Sequence, residues 1–214
     1  MMIAQAIGRR FIASRRGVAA VEFALIMPVL LILFLSSYDV GNAIIVYMKV
    51  RAATYELAAI TNQYGTTASN VGQISTTIMG TITSAGSTVL SPYSSTPLTI
   101  VLTQIKATSN TKATVSWSYA VNGTAYATGT TFNLPTNMAN DTCGSGNYSG
   151  TSPPSGKGGC YLILSQVSYS YTPMFGAFMT GTLALSDSLY VAPRSTQCVQ
   201  YNSVPTLTSN SKCP

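Results

Sequence analysis

From Val18 to Leu35 the chain is apolar at every position except Glu22. Eighteen helical residues rise about 27 Å, close to the roughly 30 Å hydrocarbon core of a bilayer. Residues 18–37 therefore read as a transmembrane segment. The apolar core of a secretory signal is shorter, about 7–15 residues. Gly41-Asn42-Ala43 nevertheless offers a small-residue site of the kind a signal peptidase uses. Beyond the segment, Ile44, Tyr47, Met48, Arg51, Tyr55 and Ala58 recur at three- and four-residue steps. That period predicts a mostly apolar stripe on a continuing helix. The extension covers residues 38–64 and is expected to stop near Tyr64-Gly65. From 18 to 63 one helix would be about 69 Å long. Pro28 removes one backbone hydrogen bond and is expected to bend the anchor.

The pattern weakens in the Ser/Thr/Gly-rich stretch 65–97. Val71, Ile74, Ile78 and Ile82 keep helical spacing, which predicts a second, weaker helix. After Pro97 the period becomes two. LTIVLTQIKA and KATVSWSYAV read as strands, with Val115, Trp117, Tyr119 and Val121 on one face of the second. Asn122-Gly123 is a type I′ turn signal and predicts a hairpin into TAYATGTTF. Residues 133–160 read as an irregular loop. YLILSQVSYSY and TGTLALSDSLYVA alternate again, the first with Ile163, Val167, Tyr169 and Tyr171 on one side, the second with Leu183, Leu185, Leu189 and Val191. The tail from Arg194 reads as irregular. The fold class expected is α+β: a long N-terminal transmembrane helix packed on an exterior, pilin-like domain, residues 65–214, with an antiparallel sheet of about four or five strands.

Charge sharpens this picture. Charged residues are only 7% of the 214, against about 25% in ordinary soluble domains. Arg9, Arg10, Arg15 and Arg16 supply four charges of the net +6 and make residues 1–17 a basic leader. Beyond Gly17, seven Lys and Arg face five Asp and Glu, a net of +2. The body carries no basic field suited to phosphates, so nucleic acid is not an expected partner. The arginines on the N-terminal side place the C-terminus outside the cytoplasm by the positive-inside rule. All four cysteines, Cys143, Cys160, Cys198 and Cys213, lie in the last third. An even number beyond a membrane anchor points to disulfides in an oxidising compartment. Three pairings are open, and sequence proximity favours Cys143–Cys160 with Cys198–Cys213. Histidine is absent, which excludes a Cys/His zinc site.

Glu22 is the residue that most needs a reason. A carboxylate inside a bilayer costs about 2.5–3.5 kcal/mol on insertion scales. It stands five residues after Gly17 and next to Phe23, just past Arg15-Arg16. Gly17, four small or apolar residues, then Glu22-Phe23 resembles the processing signature of Flp-type pilins. The stretch from Arg15 to about Ala58, with Pro28 and the tyrosine-rich helix after the membrane, looks like the TadE-like domain of minor pseudopilins from tight-adherence (Tad/Flp) pilus systems. The resemblance implies cleavage by a prepilin peptidase between Gly17 and Val18, and assembly with other pilin and pseudopilin subunits. It implies a single-pass protein of the bacterial inner membrane that reaches the pilus or cell surface after assembly. Major Flp pilins are very short, so the chain is more like a minor component. Common type IV pilins carry Phe-Thr-Leu after the glycine, where this chain has Val-Ala-Ala. There is no Asp-x-Ser-x-Ser run of the TadG-like relatives.

The physical logic of the motif stands beside the family. Cutting after Gly17 removes the arginines and creates an amine on Val18, which titrates near pH 8. Glu22 lies one turn from it, so one subunit's carboxylate neutralises a neighbour's amine in a filament. Ala19, Ala20 and Ala24 permit close helix approach. The competing reading is an ordinary signal anchor whose glutamate snorkels to the interface, on a stand-alone envelope protein or adhesin that never enters a filament. Enzyme chemistry is not expected. Beyond Glu22 the carboxylates are Asp39, Glu56, Asp141 and Asp187, and without histidine acid–base pairs are scarce. Neither a cofactor nor a small-molecule substrate is expected. Asp39 and Glu56 read as a solvated helix face, and Asp187 as capping a bulge or pairing with a lysine. Three Asn-x-Ser/Thr sequons, at Asn122, Asn140 and Asn147, are no more than a hydroxyl-rich chain carries by chance.

Overall fold

The computed structural model describes residues 15–64, 71–135, 138, 160–176, 180–194 and 198–201. The fold is α+β, as expected: a long apolar N-terminal helix and an antiparallel sheet domain. It divides into two compact units. One holds Met1–Ile44 and Thr172–Thr182, the other Ile45–Tyr171 and Leu183–Pro214.

Helix α1 (Arg15–Gln63) runs unbroken through Pro28. Its buried positions differ from the expected stripe. Ala43, Val46, Val50, Ala53, Thr54, Leu57, Ala58 and Thr61 are buried, whereas Ile44, Tyr47, Met48 and Tyr55 are exposed. Apart from Leu57, the buried line is built of small and β-branched residues, which let a helix approach its neighbours closely. Thr54 and Thr61 turn their hydroxyls back to the carbonyls of Val50 and Leu57, which satisfies them inside the core.

Strand β1 (Val71–Ile74) takes the first half of the segment expected to be helical. Helix α2 (Thr76–Val89) begins only at Ser75, whose hydroxyl caps the N–H of Ile78. Leu57 of α1 packs over Gly86 of α2, where a Cβ would come within 3.0 Å of Leu57 Cδ1. Lys49 donates to the carbonyls of Val89 at 3.3 Å and Ser91 at 2.6 Å, at the C-terminal end of α2. A cation there complements the helix dipole and its unpaired carbonyls.

Five strands follow: β2 (Leu98–Ala107), β3 (Lys112–Val121), β4 (Thr131–Asn133), β5 (Tyr161–Tyr171) and β6 (Leu183–Val191). They form one antiparallel sheet in the order β4-β3-β2-β5-β6. The ten-residue strands fall where the two-residue period placed them. Strand β5 buries Val167, Tyr169 and Tyr171 on one side, and from Tyr161 to Ser165 it is buried on both.

Two readings of the β region need correction. Asn122 does adopt positive φ, at 53°, but the chain after it returns along β3 only at the end of the expected segment, from Gly129 on, and not directly from the turn. Its side chain donates to the carbonyl of Leu98 and its own carbonyl accepts from the Thr99 hydroxyl. The turn residue thus closes the far end of β2 onto β3. The strand that pairs back is β4, at Lys112–Thr114 near the start of β3. Nor do Val115 and Trp117 share a face. Gln104 pairs with Trp117 while Ile105 pairs with Val115, leaving Ser116 as an extra residue. That bulge shifts the alternation by one position. Trp117, Tyr119 and Val121 stand with Ile100, Leu102 and Gln104. Val115 joins Ile105, Ala107, Ala113, Leu162 and Leu134 in a separate buried cluster.

The tail is not wholly irregular. Strand β7 (Cys198–Tyr201) pairs in parallel with β1, Val71 opposite Cys198. Val199 donates to Gln104 Oε1 at 2.6 Å and its carbonyl accepts from Trp117 Nε1. Tyr201 packs its ring against Trp117 and Tyr119, with centroids 5.7 and 5.4 Å apart. Side chains of the large sheet thereby fasten the small one.

Candidate functional site

The sequence motif lies at the start of α1. Gly17 is helical, two residues inside the helix, and Val18 and Glu22 follow it one turn apart on one face. Glu22 is exposed, as are Val18, Val21, Phe23, Leu25 and the apolar positions onward to Phe34. No part of the most apolar eighteen-residue window is covered by the protein itself. Among the described residues this is the one helix long and apolar enough to cross a membrane. A single N-terminal helix of this kind fits a membrane anchor. Leu25, 73% exposed, represents side chains whose burial elsewhere would be worth about 1.5–3 kcal/mol each. Lipid or another helix must take up that surface.

At the other end of the segment the sequence reading missed a buried charge. Asp39 is 1% exposed, not solvated. Its carboxylate accepts backbone N–H groups from three successive residues beyond β5. Met174 donates to Oδ1 at 3.0 Å, Gly176 to Oδ2 at 3.0 Å, and Phe175 reaches both oxygens at 3.3 Å. Consecutive amides turned to one anion form a nest, and Gly176 takes the left-handed conformation such a turn uses, with φ 61°. Charge-assisted bonds of this kind are roughly twice as strong as neutral ones and offset the desolvation of the carboxylate. Tyr38 meets Phe175 edge to face, centroids 5.6 Å apart. One signal was available: Asp39 lies four residues before Ala43 and seven before Val46, in line with the buried positions of α1.

The other carboxylates behave more simply. Glu56 is exposed, as read. Asp187 faces Arg51 rather than a lysine, with Nε and Oδ2 3.9 Å apart. Around it a shallow groove of about 370 Å³ is lined by Thr99, Gln166, Ser168, Ser186 and Ser188. Its ionisable side chains are Asp187 and Tyr126, the latter donating to Gln166 Oε1. Cys160 and Cys198 are buried, at the starts of β5 and β7. Cys143, Cys213, Asp141 and Arg9 to Ser14 lie outside the described residues.

A family model described as TadE-like protein matches residues 17–59. This segment is TadE-like. The TadE-like match begins at Gly17, takes in Glu22, Phe23, Pro28 and Asp39, and ends within α1 before the sheet. The match covers 43 of the 214 residues, so likeness to the family is carried by this segment alone. Comparison with the curated proteins and with solved structures finds no significant match.

Proposed function

We propose that this chain is a minor pseudopilin of a tight-adherence pilus, anchored in the bacterial inner membrane and contributing to pilus assembly and surface attachment. The observation that carries the reading is the coincidence of the TadE-like match at 17–59 with a helix whose apolar side chains are left uncovered around a lone glutamate. The basic leader holds the N-terminus in the cytoplasm, and the sheet domain lies outside. A prepilin peptidase cuts between Gly17 and Val18. The new amine of one subunit then meets Glu22 of a neighbour, so two charges that are costly apart enter the filament as a pair.

Two further features support this reading. Ile44, Tyr47, Met48 and Tyr55 form an exposed stripe beyond the spanning segment, an apolar surface for packing against neighbouring subunits. Cys160 and Cys198 are buried, and among the described residues no cysteine is free, which supports bridged cysteines in an oxidising compartment.

The test is twofold. N-terminal sequencing of the mature protein is expected to begin at Val18, and Gly17→Leu to abolish that cut; a start near Ile44 would refute the pilin reading. Glu22→Ala is expected to leave the membrane-bound amount unchanged and to remove the protein from sheared pili. Wild-type levels in pili would refute the amine–carboxylate pairing. A stand-alone envelope protein would show neither the cut nor the loss.

A further inference from the structure

We infer that the segment after β5, held on Asp39, docks into the bilayer interface beside the end of the spanning helix. The inference rests on the membrane-anchor reading above. It starts from an exposed cluster: Met174 is 75% exposed, Phe175 47% and Tyr38 49%. These are large apolar or amphipathic side chains, and nothing from Thr172 to Gly176 is charged. Tyr38 directly follows residues 18–37, so the cluster continues the uncovered apolar surface of α1 at its C-terminal end. Aromatic residues concentrate at that level, with the ring in the acyl boundary and the hydroxyl among headgroups.

Apolar side chains alone would not take a loop out of water. Backbone N–H groups that lose water without a partner cost several kcal/mol each in a membrane. Here the N–H groups of Met174, Phe175 and Gly176 are all taken by the Asp39 carboxylate. The buried charge therefore has a use that a solvated loop would not require: it satisfies three amides in a segment that enters lipid. The ring of Phe175 is held by Tyr38 at the same level. The occupant is thus a lipid interface rather than a protein groove, because the cluster is contiguous with a surface that only acyl chains or other anchors cover.

The experiment uses the full chain in nanodiscs of phosphatidylethanolamine and phosphatidylglycerol, doped with lipids brominated at shallow or deep acyl positions. Phe175→Trp and Leu31→Trp are made separately and compared with the parent, whose Trp117 gives a constant background. Leu31→Trp is expected to be quenched most by deep bromines, and Phe175→Trp to add blue-shifted emission quenched most by shallow ones. Adding Asp39→Ala is expected to abolish most of the quenching at 175 and none at 31. Asp39→Asn, which keeps one carbonyl acceptor, is expected to fall between. Quenching at 31 without quenching at 175 overturns the inference and spares the anchor. Blue-shifted but unquenched emission at 175 means that a protein surface covers it, which overturns the lipid assignment. An unquenched Trp at 31 overturns the anchor reading and this inference with it. Full quenching at 175 in both Asp39 variants overturns the role given to the carboxylate.

Discussion

Gln104 sits fully buried in the middle of β2 because its side-chain oxygen is occupied by the N–H of Val199. Its Nε2 has no partner among the described residues. Gln104→Leu therefore orphans one amide but also removes an unpartnered one, and the expected cost is about 1 kcal/mol, the low end for a buried donor left unpaired. Trp117→Phe loses both the bond to Val199 and packing against Tyr201, and is expected to cost more, roughly 2–3 kcal/mol. Urea unfolding of the full chain in micelles checks the order. Tyr161 makes a pH-dependent contribution. Burial pushes its phenol from 10.0 up to about 12. Because the fold favours the protonated form, this contribution is complete below 10.0 and disappears as pH rises towards about 12. Tyr161→Phe is expected to flatten that part of the stability curve. Neither Gln104 nor Asp39 was legible as a buried group. A polar residue's burial depends on which distant amide meets it, and the partners at Val199 and Met174 lie 95 and 135 residues away.

Helices α1 and α2 meet at Gly86, and two glycines of α2 separate packing from propensity. Gly86→Ala drives a Cβ to 3.0 Å from Leu57 Cδ1 and is expected to destabilise by about 1 kcal/mol or more. Gly80→Ala faces open space and is expected to stabilise by about 0.5–1 kcal/mol, the ordinary helical preference for alanine. Thermal unfolding of the two variants should shift in opposite directions; equal shifts would remove the contact from the explanation. The elements themselves were largely readable. The apolar run gave α1, and the two-residue alternation located β2, β3, β5 and β6. What failed was anything set by a partner rather than by period. The stripe chosen on α1 was the one with the larger side chains, but small residues win the buried side of a close contact. The bulge at Ser116 moves Val115 to the other face, and an inserted residue leaves no mark on composition. Strands β1 and β7 are four residues each, too short to show a period.

A periplasm-active reporter fused after residue 65 is expected to be active in cells, and activity of a cytoplasm-specific reporter at that site would reverse the topology. Non-reducing peptide mapping is expected to join Cys143 to Cys160 and Cys198 to Cys213. Each bridge closes a loop of about 15 residues and would contribute about 3 kcal/mol in the chain-entropy model. A peptide linking Cys143 to Cys198 would refute the pairing. The parallel pairing of β1 with β7 bears on the order of events during synthesis. Val71 emerges early and waits for Cys198, so this contact closes a long stretch of chain and is expected to form late. Until Val199 arrives, Gln104 and Trp117 face inward with nothing to bond. A chain that stops short of β7 carries those two unmet groups permanently. The fold thereby distinguishes a finished subunit from a truncated one, by a local instability that proteases can act on before the subunit reaches any assembly.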